Sequence, residues 1–387
     1  MQNKLVIALG VVAIAALIAG FLFDGRGAQS DAGLARSGDR LSVVASNSLV
    51  GDWVQQVAGE HVNLTVLIGP DASPHHIELR PSQIHALAKA DLVLSIGSGL
   101  EPWLARAYKG AGSEASFVEL SEGLPMLTRA GSSDDWIARP GMAVAGDLPA
   151  CCAPKYADLL PQAAAITVAR DDTPRAAVSV LVDAPAKAAC ADCGPSEGTG
   201  LVAHTHDTHS GIDPHVWMDV SLTRQMVVAL TDALIFADES KTEAFEAGQN
   251  RYLAELTELE QWMFRTCQTI PDANRRLLTQ HENMRYFAHR YGFALSGSLL
   301  GSLSTTETGP SALAMTRLLK RIQAQQIQAV FAENIMNTEL AEQVAREADL
   351  PEPPRLITGA LSRPGTPGDT YVGMMRHNTR TIVDALK

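Results

Sequence analysis

The sequence predicts an α/β fold of two lobes, each a mostly parallel sheet with flanking helices, joined by one long helix. Three observations carry this expectation. Apolar, strand-like runs alternate with helix-like stretches in both halves of the chain, the pattern of a parallel sheet with helices on its faces. Between Asp238 and Pro271 the sequence describes a single helix of about 30 residues, a rod of about 45 Å. His75, His215 and His281 each stand at the carboxyl edge of an apolar strand or just beyond one. They lie too far apart for a local motif, so only the fold could bring them together.

The elements follow in order. Lys4 precedes an apolar run from Leu5 to Phe23, which Asp24-Gly25-Arg26-Gly27 closes. The run exceeds the roughly 7–15 residues usual for an export signal and approaches the roughly 20 that span a bilayer. A cleaved signal peptide is expected, with an uncleaved anchor as the alternative. Gly27 to Ala32 offers small residues for cleavage but no clean A-x-A, and no cysteine follows the run to take a lipid. Either way the rest of the chain works outside the cytoplasm. Residues 1–40 thus comprise the signal or anchor and a flexible leader, Gly25 to Asp39.

An N-terminal lobe is expected over 41–237. It reads as strand Leu41–Ala45, helix Leu49–Val57, strand Val62–Ile68, helix Pro81–Lys89 with proline at its first position, and strand Asp91–Ile96. His75 falls in the loop after Val62–Ile68, at the carboxyl end where such sheets bind ligands. The linker helix takes 238–270: Ser240-Lys241-Thr242-Glu243 fits a capping box, and Tyr252, Leu256, Leu259 and Met263 recur on one face. The C-terminal lobe, 271–387, repeats the alternation. It reads as strand Arg276–Thr279, helix from Glu282, strand near Phe293, helix from Pro310, strand Ile327–Phe331, helix from Thr338, strand Arg355–Thr358 and a last helix from Thr370, with Asp369 as its cap.

With 387 residues, 46% of them hydrophobic, the chain can bury two ordinary cores. A net charge of −12 gives no basic face for nucleic acid and suits a cationic ligand. Zinc takes imidazole nitrogen readily, whereas manganese favours oxygen, so three histidines point towards zinc. The segments around them read Ser73-Pro74-His75-His76-Ile77-Glu78, Asp213-Pro214-His215-Val216-Trp217-Met218-Asp219 and Thr279-Gln280-His281-Glu282.

With these motifs in this order, and the ending Thr370-Tyr371-Val372-Gly373-Met374-Met375-Arg376-His377-Asn378, the chain resembles the metal-binding solute receptors of ABC importers for zinc and manganese. The likeness covers most of residues 41–128 and 212–387. It implies two lobes joined by one long rigid backbone helix, in an extracytoplasmic protein that captures Zn(II) with His75, His215 and His281. The receptor would then deliver the ion to an ABC permease in the cytoplasmic membrane; a monomer is expected. Manganese receptors of the family carry a carboxylate where this chain has His281, which again points to zinc. Glu282, next door, keeps a manganese receptor open as an alternative.

Two departures stand out. Many members carry an aspartate in a segment like S-D-A-L, where this chain has Thr358-Gly359-Ala360-Leu361. The fourth ligand is then expected from water, from Glu333, or from a nearby histidine loop. The second departure is an insertion from about Pro125 to Ile212. Ala165–Ala169 and Val178–Val182 read as a β-hairpin, with Cys151 and Cys152 before it and Cys190 and Cys193 after it. In an oxidising compartment two disulfides are expected, a thiolate zinc site being the alternative. His204, His206 and His209 close the insertion and are expected to capture zinc or accept it from a metal-delivery protein, with a plain solvated loop as the alternative.

Other residues have plainer roles. Cys267 is expected to be a buried free thiol, Trp103 and Trp217 core or cleft-wall aromatics, and His76 and His85 surface residues, with His289 and His377 on helices. Glu78 and Asp219 are expected to hold imidazoles in register. An enzyme is not expected. No G-x-S-x-G or phosphate loop occurs, and His281-Glu282-Asn283-Met284-Arg285 lacks the second histidine of H-E-x-x-H. A secreted zinc hydrolase is the last of the alternatives. A metal-dependent adhesin or zinc-buffering chaperone would share every motif.

Overall fold

Strand β1 (Leu41–Asn47) sets the architecture, because helices cover both of its faces and its side chains alternate between two cores. Val43 and Ala45 pack with Trp53 and Val54 on one side, whereas Val44 packs with Leu67, Leu87 and Val93 on the other. Burial on both faces is why a parallel strand reads as an unbroken apolar run. The computed structural model describes residues 40–127, 136–137, 212–300 and 310–387. The N-terminal elements continue with α1 (Ser48–Ala58), β2 (Val62–Ile68), α2 (Pro81–Lys89), β3 (Leu92–Ser95), α3 (Leu104–Gly110) and β4 (Ser116–Glu119). They form a four-stranded parallel sheet in the order β2-β1-β3-β4. Asn47, the last residue of β1, caps α1: its Oδ1 accepts from the backbone N–H groups of Leu49 and Val50.

A short antiparallel pair, β5 (Met126–Leu127) with β6 (Trp136–Ile137), precedes α4 (Val220–Ala237) and the long α5 (Thr242–Cys267). The second lobe contains β7 (Arg276–Thr279), α6 (Arg285–Tyr291), β8 (Ala294–Ser298), α7 (Ala312–Ala324), β9 (Ala332–Glu333), α8 (Glu339–Glu347), β10 (Arg355–Leu356) and α9 (Tyr371–Leu386). β7 pairs with β8 and β9 with β10, all parallel, and a parallel bridge from Thr279 to Phe331 joins the two pairs. The resulting order, β8-β7-β9-β10, repeats that of the first sheet.

The 26 residues of α5 span about 39 Å. Phe245, Tyr252, Leu256, Leu259 and Met263 form its buried stripe, and the helix packs against α1, α4 and α9. Gly248 lies on that stripe where a Cβ would come within 2.0 Å of the Val57 carbonyl oxygen, so glycine permits the close approach of α1. Cys267 at its end is a buried free thiol, and burial pushes it up to about 12, far from a reactive thiolate.

Several boundaries differ from those the sequence suggests. The expected capping box at Ser240 does not form; Asp238 accepts from the Ser240 N–H and hydroxyl and caps a 3-10 turn, and α5 begins at Thr242. Thr370, not Asp369, caps α9, accepting from the Gly373 N–H, while Asp369 accepts from Gly365. The strand expected over Ile327–Phe331 pairs as β9 at Ala332–Glu333, because only there does it meet β10. The signal or anchor, the insertion hairpin, Cys151, Cys152, Cys190, Cys193, His204, His206 and His209 lie outside the described residues.

Candidate metal centre

Each histidine is delivered by the carboxyl end of a strand or by a turn that closes over it. His75 sits in the loop after β2, His215 opens the 3-10 turn Val216–Met218 that leads into α4, and His281 follows β7 by two residues. All three are buried, His215 and His281 completely. They meet: one nitrogen from each ring lies within 4.8 Å of the others, and His215 Nε2 stands 3.3 Å from His75 Nε2. Ring centroids are 5.3–6.1 Å apart. Among the described residues these three imidazoles are the cluster able to share one ion.

Carboxylates hold two of the rings from behind. His215 Nδ1 lies 2.8 Å from Asp213 Oδ1, which also accepts from the His215 backbone N–H. Asp213 is itself fixed, since its N–H donates to the Leu127 carbonyl and its own carbonyl accepts from the Tyr286 hydroxyl. Burial lowers the His215 pKa despite the facing aspartate, so this ring stays neutral, the form that can bind a cation.

Glu333 plays the matching part for His281. Its Oε1 accepts from the His281 backbone N–H at 3.0 Å, and its Oε2 accepts from Asn283 Nδ2 and Thr358 Oγ1. The same Oε2 lies 2.8 Å from His281 Nδ1, close but off the line of a straight hydrogen bond. Burial would raise this carboxyl, yet the facing His281 imidazole and the hydrogen bonds from His281 and Thr358 outweigh burial and hold it below the usual carboxylate range. Both oxygens are therefore engaged, and Glu333 sits outside the cluster of three nitrogens. Glu333, expected as one possible fourth ligand, faces His281 Nδ1 and stands outside the three-nitrogen cluster. On the other side of the ring, His281 Nε2 is buried and finds no hydrogen-bond partner in the protein. An orphaned buried nitrogen costs free energy unless something binds it.

The two tryptophans tie the site to its surroundings. Trp103 Nε1 donates to the Pro74 carbonyl beside His75, and Trp217 Nε1 donates across the cleft to the Thr358 carbonyl. Asp219 and Glu78 do not serve imidazoles. Asp219 accepts from Ser221 at the start of α4 and faces Arg290, and Glu78 is exposed. Glu282 is half-buried and stands outside the cluster. His76 and His85 are exposed, as expected of surface residues.

Removing the support should show in metal binding. The Glu333→Gln variant is expected to weaken divalent-metal affinity about 10–100-fold, the usual cost of losing a residue that orients a histidine ligand. A chelator-competition titration checks this, and unchanged affinity would mean that His281 is not a ligand.

The family model described as "Zinc-uptake complex component A periplasmic" matches residues 43–385. The manganese-binding lipoprotein MntA of Halalkalibacterium halodurans is 26% identical over 97% of this chain and 97% of its own length. The zinc-binding protein TroA of Treponema pallidum is 24% identical over 89% of this chain and 88% of its own. In three dimensions the chain is similar to the solved periplasmic zinc binding protein TroA from Treponema pallidum, at 23% identity and a TM-score of 0.65, covering 90% of this chain and 99% of that one.

Proposed function

The chain belongs to the family of the periplasmic zinc-uptake complex component A, and from that membership we propose that it is a zinc receptor, holding Zn(II) with His75, His215 and His281. Family membership makes it a substrate-binding component of a metal ABC importer, working outside the cytoplasm, and not an enzyme. The choice of zinc rests on one observation, the convergence of three buried imidazoles with no carboxylate oxygen among the cluster. Zinc accepts that nitrogen set; manganese, an oxygen-seeking ion, is poorly served by it.

The space where the resemblance puts an aspartate supports the same reading. A Cβ at Gly359 would lie 2.5 Å from Ile335 Cδ1 and 3.3 Å from Pro74 Cδ, so an aspartate there would require the Ile335 side chain to move. The fourth ligand is then water or a histidine of the loop that closes the insertion. A manganese receptor of the same fold remains the second reading, favoured by the Glu333 carboxylate behind His281 and by the printed name of the MntA relative.

Capture between the lobes is followed by docking on a membrane permease that prefers the loaded shape, since a ligand shifts an equilibrium only by its differential affinity. X-ray absorption on the zinc-loaded protein tests the ligand set. Three imidazole nitrogens at about 2.0–2.1 Å are expected. A first shell made mainly of oxygen would overturn the assignment.

A further inference from the structure

A cavity of about 740 Å³ is lined by residues of the second lobe together with Asp71, from the loop that carries His75. Asp71, Asn334, Arg355, Arg363, Thr366 and His377 are among its walls. Its lining carries two guanidiniums, Arg355 and Arg363, and one carboxylate, Asp71, beside hydroxyl, amide and apolar groups. Arg355 Nε donates to the Glu333 carbonyl at 3.4 Å. Arg363 is 82% exposed and reaches Asp71 at 3.6 Å only loosely, in an arrangement that an incoming anion can displace.

We propose that this cavity is an oxyanion-binding site, taking a carboxylate or phosphate group on Arg355 and Arg363 in competition with Asp71. Guanidinium presents paired donors that match both kinds of group. The cavity far exceeds the roughly 10–15 Å³ that one water needs on the same measure, so a small dicarboxylate fits within it.

Asp71 couples the cavity to the metal. It belongs to the loop that carries His75, four residues further on. Its backbone has a left-handed φ of 56°, unusual for a residue with a Cβ. Contacts from the second lobe hold it there: its N–H donates to the Leu361 carbonyl, and its Oδ1 accepts from Asn334 Nδ2. Asn334 in turn follows Glu333, the residue that orients His281. An anion that takes Arg363 removes one of the ties on the His75 loop, so anion and metal oppose each other, and by linkage each weakens the other equally.

The test is calorimetric titration of the full-length, metal-stripped protein with inorganic phosphate and, separately, with succinate, which distinguishes the two anion sources. Saturable binding of at least one anion is expected. An Arg355→Gln/Arg363→Gln double variant should weaken it at least about tenfold, which is 1.4 kcal/mol. Asp71→Asn, which keeps the turn but removes the competing charge, should tighten it. No saturable binding, binding indifferent to the two arginines, or no gain in Asp71→Asn would each overturn the site. Equal succinate affinity for metal-stripped and metal-loaded protein would overturn the coupling. Because the anion is titrated without metal, failure here is distinct from failure of the receptor assignment.

Discussion

Replacing His281 with alanine is expected to lower zinc affinity by more than about 100-fold. The reasoning starts from a bound: losing a residue that merely orients a histidine ligand costs 10–100-fold, so losing the imidazole itself must cost more. The geometry adds to this. His281 is fully buried, its Nε2 has no other partner, and its removal leaves the Glu333 carboxylate facing an empty space. A chelator-competition titration measures the effect, with circular dichroism to show that the variant remains folded. Affinity within threefold of the parent protein would remove His281 from the ligand set.

Replacing Arg290 with alanine is expected to destabilise the fold by about 3–5 kcal/mol, the range for breaking a buried ion pair from one side. Arg290, on α6 of the second lobe, reaches across to α5. Its Nη2 and Nε donate to Glu260 Oε1 at 2.6 and 2.9 Å, and its Nε lies 3.6 Å from Asp219 Oδ1. Burial raises the Glu260 carboxyl even with this cation beside it, so without Arg290 the charge would be poorly compensated. Arg224, 3.9 Å away, offers partial relief and places the expectation near the lower end of the range. Denaturant unfolding of the metal-stripped protein reads the change from the midpoint and slope. A shift below about 0.5 kcal/mol, the scale of an ordinary surface substitution, would show that this network does not hold the long helix to the second lobe.

Both effects rest on residues whose importance was unequally legible in the sequence. Pro81, at the first position of α2, marked its helix correctly, and Thr338 and Thr370 marked starts within a residue. Parallel strands buried on both faces announced themselves as apolar runs. Helix α4 did not, because its eighteen residues are apolar enough around the axis to blur the 3.6-residue period. β9 was displaced for the opposite reason. It ends in Glu333, a charged residue whose burial depends on partners distant in sequence, His281, Asn283 and Thr358.

The site shows the same division. The histidines lay in recognisable motifs, and the fold brings all three together. Their supporting carboxylates were misplaced. Asp213, two residues before His215 in the same motif, holds the imidazole, whereas Asp219, which the motif equally offers, caps α4 and faces Arg290. Glu333 lies 52 residues from His281, a separation that only the pairing of β7 and the bridge at Phe331 makes short. No local spacing encodes it. Ile335, which fills the space over Gly359, was equally invisible, because its position depends on the packing of the second lobe.

The central claim is that three buried imidazoles select zinc. Its most direct test is a competition titration of the metal-stripped, full-length protein with zinc against manganese in one buffered series. A preference for zinc of several orders of magnitude is the expected result, since nitrogen donors favour zinc in both ligand softness and the general order of divalent affinities. Equal affinity, or a preference for manganese, would contradict it and would mean that oxygen donors outside the three-histidine cluster hold the metal.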